Sequence, residues 1–446
     1  MRDLTKGNLT RQMVMFTLPI FAGNLLQQLY NFVDSIIVGN FIGKEALAAV
    51  GNCGSIINIL IAILIGLDIA TEILIAKEIG GMDFNKAGII ANTMFLLIMS
   101  VALIIGIFGF ILAPKLLYLM KTPPELIPMA EIYLKVYFLG ILGIAGYNTL
   151  NGIIRSTGDA FSPLIFLGIA SVLNIFLDLL FVCVFKMGVA GAAFATVISQ
   201  GFSFFLCFMH LPKVKKELRI HLKKENICIS FFKEGLRLGI PSGMQQASSA
   251  IALLVIQIVV NSLKDTDSIS AYLIGMKVDS FAGLPAVSLG FALTTIVSQN
   301  LGAGKVKRVR EASIRARIFS IIMGLILCFL LRSYREEIVS LFVSNDEKIV
   351  IYYGAKYIEL LSIMYPLACY FSVVHGILNG KGKTFVTMMV QMSSMWIVRI
   401  PLAIILTKRI GFIGICYAIP ISWFFSFIAT EIYELIYRSK NNGKVL

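Results

Sequence analysis

A chain of 446 residues in which 58% are apolar and only 14% charged, with a mean hydropathy of +0.86, is not a water-soluble domain. Its formal net charge of +14 would suit nucleic acid, but the Lys and Arg residues lie in short connections between apolar runs and not on one soluble face, which fits membrane topology instead. Seven cysteines without CxxC spacing, mostly inside apolar runs, give neither a disulfide framework nor a metal site.

The first apolar run extends from about Val14 to Gly39. It is longer than the roughly 20 residues that cross a bilayer. The basic start MRDLTKGNLTRQ resembles a signal n-region, but the following run is too long and lacks a small-residue cleavage site, so the first span is expected to stay in the mature chain. Within LLQQLYNFVDSIIVG, Asp34 lies at membrane depth, where a charge costs at least about 2.5 kcal/mol and marks an ion or substrate pathway. Tyr30 and Asn31 share its helical face, with Gln27 one turn back. Uncharged amides are uncommon on lipid faces, so Gln27, Gln28, Tyr30, Asn31, Gln245 and Gln246 are the candidates for a substrate cavity.

Apolar blocks predict about twelve spans, beginning near residues 14, 46, 88, 126, 161, 189, 235, 268, 312, 350, 385 and 412. Assigning connections to alternate sides gives 25 basic residues, Arg2 and Lys444 among them, against 11 opposite, which places both termini in the cytoplasm. The chain also repeats at an offset of 222 to 224: LPIFAG returns as GIPSGM, IAKEIGG as VSQNLGAG, the connection with Gly152 and Gly158 as HGILNGKGK, and GVAGAAFATVIS as GFIGICYAIPIS. The expected fold is therefore an all-α polytopic membrane protein of about twelve transmembrane helices, in two six-helix lobes related by a pseudo-two-fold axis along the membrane normal. The lobes span residues 1–210 and 235–446, joined by a basic cytoplasmic linker at 211–234 that suits anionic lipid headgroups.

Further along, Ser171, Asn174 and Asp178 form one helical stripe of hard oxygen ligands suited to Na+ or a shared proton. Gly188, Gly191, Ala192, Ala193 and Ala195 allow the next helix to pack closely enough for Thr196 to join. Asp68 and Glu72, four apart, form a possible second acid pair that would hold one proton between them. Lys277 and Asp279 are placed near the outer boundary, and Arg399 needs a partner that the sequence does not name. His210, His221 and His375 fall at loops or span ends without metal spacing.

The runs LPIFAGNLLQQLYNFVDSIIVG, GKEALAAVG and SLGFALTTIVSQNLGAGK resemble the multidrug and toxic compound extrusion (MATE) family, over residues 8 to 435 or so. The resemblance implies two lobes around a cavity that opens to one side at a time, and cation-driven export of organic, often cationic, compounds. In the DinF-like branch of the family, a cation site is built from an aspartate on the first helix, an Asn and Asp on the fifth and a threonine on the sixth. Their counterparts here are Asp34, Asn174, Asp178 and Thr196. The NorM-like branch carries a glutamate on the seventh helix, whereas IPSGMQQASSAIALL has none, and Ile397 and Pro401 stand at the repeat positions of Asn174 and Asp178.

With no GxxxxGK[ST] loop and no soluble domain, the chain is expected not to be an enzyme. The expected function is a secondary antiporter of the plasma membrane, coupled to H+ or Na+ without a cofactor and functional as a monomer, with small organic substrates and the lipid bilayer as its partners. The alternative, a flippase for lipid-linked saccharides or lipids, would more naturally line its cavity with arginines for phosphate.

Overall fold

The computed structural model describes residues 3–440 apart from 222 and 345; Arg2 and Lys444 of the charge count lie outside the described residues. In chain order the helices are α1 (Leu9–Ile37), α2 (Lys44–Gly80), α3 (Phe84–Leu119), α4 (Ile127–Leu139), α5 (Ile141–Ser156), α6 (Phe161–Asp178), α7 (Val189–Val214) and α8 (Ile229–Asn261). There follow α9 (Thr266–Gly302), α10 (Val306–Ser333), α11 (Arg335–Ser340), α12 (Lys348–Ser362), α13 (Tyr365–Gly380), α14 (Thr384–Met392), α15 (Ile400–Ile410) and α16 (Phe412–Lys440). Among the described residues, nine helical segments are long and apolar enough to span a membrane, and eleven when the bent pairs α4/α5 and α12/α13 each count as one. The 29-residue α1 is long enough for a twelfth, but Asn24, Gln27, Gln28 and Asn31 dilute its apolar character.

Two spans expected as single helices are broken: α4/α5 bends by 51° and α12/α13 by 55°. The breaks fall at Gly140 and Ile363, which are 223 residues apart, so the repeat extends to the kinks. It extends to element lengths too, since α2 and α9 are both 37 residues long. Gly188 (φ 60°, ψ −144°) and Gly411 (φ 63°, ψ −144°) turn the chain identically into α7 and α16. Aspartate side chains set two further starts. Asp83 accepts a bond from the Lys86 amide (2.9 Å) ahead of α3, and Asp159 accepts from the amides of Phe161 (3.1 Å) and Ser162 (3.0 Å) ahead of α6. The basic connection is shorter than expected because α7 continues to Val214 and α8 begins at Ile229.

The chain forms two compact units. Unit 1 comprises Met1–Asn8, Val14–Ala247 and Ser298–Gly304; unit 2 comprises Leu9–Met13, Ser248–Val297 and Lys305–Leu446. These do not coincide with the repeat halves, because the start of α8 and the last turn of α9 pack with unit 1. Unit 1 is built on Leu67, Ile75, Met94, Ile98 and Leu134, and unit 2 on Tyr272, Ile358, Leu361 and Ile415, all buried. Glycines set the tightest crossings in unit 1. A Cβ on Gly66 would stand 2.1 Å from the Gly243 nitrogen, so α2 and the start of α8 meet backbone to backbone.

Candidate cation site

Unit 1 brings Asp34 of α1 together with Asn174 and Asp178 of α6. Asp34 is 8% exposed, Asn174 1% and Asp178 0%. The two carboxyl groups are close enough to act on each other electrostatically. Oδ1 of Asp34, both side-chain polar atoms of Asn174 and both carboxylate oxygens of Asp178 have no hydrogen-bond donor or acceptor from the protein. Five buried polar atoms left without protein partners on three neighbouring residues are far from the usual full satisfaction of buried groups. Four of the five atoms are oxygens, which suit a proton or a hard cation.

The backbone is irregular beside both acids. A π-helical stretch, Val38–Ile42, begins four residues after Asp34, and another, Leu179–Val184, begins directly after Asp178. Such wide turns insert a residue into the helix and are frequent at functional sites. In unit 2 a π stretch runs over Ser393–Arg399 and is followed by Pro401, with no acid in its run.

The other expected residues are placed as follows. Ser171, on the same stripe, is buried and bonds back to the Leu167 carbonyl (2.8 Å). Thr196 is half-buried and donates to the Ala192 carbonyl of its own helix (3.1 Å). Tyr30 is buried and its hydroxyl accepts a bond from Gln200 Nε2 (3.2 Å), joining α1 to α7. Gln27 and Asn31 are exposed, while Gln28, Gln245 and Gln246 are half-buried. Sequence reasoning missed Gln200 and Ser199, both buried, the latter with an unpartnered hydroxyl. The signal was present, since Gln200 is an amide in an apolar run one turn after Thr196.

Asp68 and Glu72 take different hydrogen-bond partners, both from α5. Thr149 donates to Asp68 Oδ1 (2.8 Å), whereas Glu72, fully buried, is held by Arg155 through Nε (3.2 Å to each oxygen) and Nη2 (2.5 Å). A guanidinium from α5 is thus paired with Glu72. In unit 2, Arg399 is buried and donates from Nε to Ser422 Oγ (2.8 Å), and the half-buried Asp279 accepts from the Tyr365 hydroxyl (2.5 Å). His375 is not at a loop; it is buried within α13. A groove of about 540 Å³ lies in unit 1 beside Pro19, lined also by Phe16, Ala22, Asp159 and Leu164.

The MatE family model matches residues 19–180 and 241–405, which include Asp34, Asn174 and Asp178. The "Probable multidrug resistance protein YpnP" of Bacillus subtilis (strain 168) is 32% identical over 435 residues, covering 97% of this chain and 96% of that protein. The "Probable multidrug resistance protein NorM" of Thermotoga maritima is 26% identical over 422 residues, covering 91% of this chain and 87% of that protein. A solved structure described as "Crystal structure of MATE in the bent conformation" superposes with a TM-score of 0.91 at 23% identity, over 99% of this chain and 98% of that one, and shows the shared fold.

Proposed function

Because the chain belongs to the MATE family of membrane transporters and is not an enzyme, we propose that it exports organic, cationic or amphipathic compounds from the cell in exchange for H+ or Na+. The observation that carries the coupling is the group of unpartnered polar atoms on Asp34, Asn174 and Asp178. A proton or Na+ satisfies them; its departure leaves two buried carboxylates that repel each other, so occupancy and conformation are linked. Pro19 interrupts the hydrogen bonds of α1, and the adjacent groove gives that half of the helix room to bend as occupancy changes.

The assignment to the DinF-like branch rests on the Asn174 and Asp178 pattern and on the missing glutamate of the 240–253 stretch. The same reading places the protein in the plasma membrane with both termini cytoplasmic, working as a monomer. The flippase alternative is disfavoured because Arg155 and Arg317 are each engaged by a glutamate, Glu72 and Glu434, and are not available to a phosphate.

Export of a cationic dye from vesicles under an imposed pH or Na+ gradient tests the proposal. Asp34→Asn should abolish gradient-driven export while the protein still folds. Full export by Asp34→Asn and by Asp178→Asn, with loss in Asp68→Asn, would move the coupling to α2.

A further inference from the structure

At the opposite end of α2 from its start, several contacts hold the last turn of α9 inside unit 1, although the rest of α9 belongs to unit 2. Gln299 donates from Nε2 to the Ser156 carbonyl at the end of α5 (2.6 Å). A Cβ on Gly80 would stand 1.9 Å from the Gln299 oxygen, and one on Gly302 would stand 1.7 Å from the Lys77 oxygen, so the ends of α2 and α9 touch backbone to backbone. Next door, the Arg155–Glu72 pair ties α5 to α2.

The segment before α1 closes onto this crossing. Leu4 is 1% exposed, a degree of burial unusual for a leucine in a stretch without regular secondary structure. The Asp3 carboxylate accepts from the amide (2.9 Å) and hydroxyl (2.6 Å) of Thr5, which shapes the turn that points Leu4 inward, and Gly7 (φ 85°) redirects the chain toward α1. The Leu4 carbonyl accepts from Asn300 Nδ2 (3.2 Å), and Asn300 is itself fully buried.

We propose that residues 3–8 are a strap: Leu4 is its plug, Asn300 its clasp, and together they lock the last turn of α9 onto α2 and α5, so that this end of the transporter opens only when the strap lets go. The physical case is one of sequence membership. The last turn of α9 continues a helix of unit 2, so motion of that helix as one piece relative to α2 would break the Gln299–Ser156 bond and the two glycine contacts. Leu4 and Asn300 are the groups added on top of that seam, and a plug of one leucine and one hydrogen bond is small enough to release on each cycle. The glycines make the seam close; the strap makes it conditional.

Hydrogen exchange on the full-length protein in lipid nanodiscs tests this, comparing Leu4→Ala and Asn300→Ala with the conservative Leu4→Met. In both truncations the amides of 298–304 and 152–158 should exchange roughly tenfold faster or more, about the effect of losing one buried hydrogen bond and less than that of deleting a buried leucine. Those of 355–365 in unit 2 should stay unchanged, and Leu4→Met should behave as the native protein. Uniform acceleration through both units would reduce Leu4 to a stability residue, and no acceleration at 298–304 would remove the strap altogether. The transport arm rests on the exporter reading. If the strap holds this end closed, Leu4→Ala raises the fraction open to the cytoplasm and lowers the apparent KM for a dye offered on that side. Local exchange that speeds up without any gradient-driven dye transport would overturn the exporter reading and leave the strap standing.

Discussion

Asp34 and Asp178 are separated by 144 residues, yet each could be recognised alone, because a carboxylate inside an apolar run has few innocent uses. Asn174 could be recognised with Asp178, since the two are four apart on one helix. The Glu72–Arg155 pair could not. Its members lie on separate helices, and nothing local to either announces the other, so Glu72 was grouped with its neighbour Asp68 by spacing alone. At this scale the pair makes a definite prediction. Arg155→Ala leaves a fully buried carboxylate uncompensated and should destabilise the protein by about 3–5 kcal/mol, whereas the double variant with Glu72→Gln should recover most of that loss. Thermal unfolding of the four proteins of this cycle in one detergent measures the coupling. If the double variant were as unstable as Arg155→Ala, the guanidinium would be holding something other than Glu72.

The helices show where the repeat is enforced by the backbone and where it is only echoed. Gly188 and Gly411 share a conformation, positive φ with ψ near −144°, that side chains with a Cβ strongly avoid. Gly188→Ala and Gly411→Ala should therefore each cost about 1–3 kcal/mol even though nothing lies within 4 Å of the added carbon. Gly201, inside α7 with equally open space, should instead gain about 0.5–1 kcal/mol on replacement by alanine. Melting temperatures of the three variants separate the two effects, and a stable Gly188→Ala would mean the turn is not held as described. The π stretches diverge between the halves, following the acid in α6 but ending at Arg399 ahead of α15. That divergence matches the loss of acids from the second half, where Ile397 and Pro401 occupy the equivalent positions.

For the molecule as a whole, the charge of the cargo sets the energetics. One monovalent cation moving inward gains about 2.3 kcal/mol per 100 mV. Exchange one for one with a neutral compound is therefore electrogenic, and exchange with a monovalent cation is electrically silent. Export of a neutral substrate should accelerate when a potassium–valinomycin potential, negative inside, is imposed, and export of a monocationic dye at one-for-one exchange should not. A dye that remained strongly voltage-driven would require more than one coupling ion per cycle.

By itself the sequence determined the membrane setting, the helical class, the two-fold repetition and the two acids of the first half, since each follows from short-range pattern: apolar run length, spacing along one helix, and self-similarity at a fixed offset. The broken spans at Gly140 and Ile363 were not visible, because a kink depends on what the helix packs against as much as on its own residues. The tertiary structure alone decided that Asp34 and Asp178 come together in unit 1, that Arg155 pairs with Glu72, and that the last turn of α9 and the peptide around Leu4 belong to unit 1. These are contacts between residues tens to hundreds of positions apart. Burial and partner choice at such a distance are set by which helix faces pack together, a quantity that no local pattern encodes.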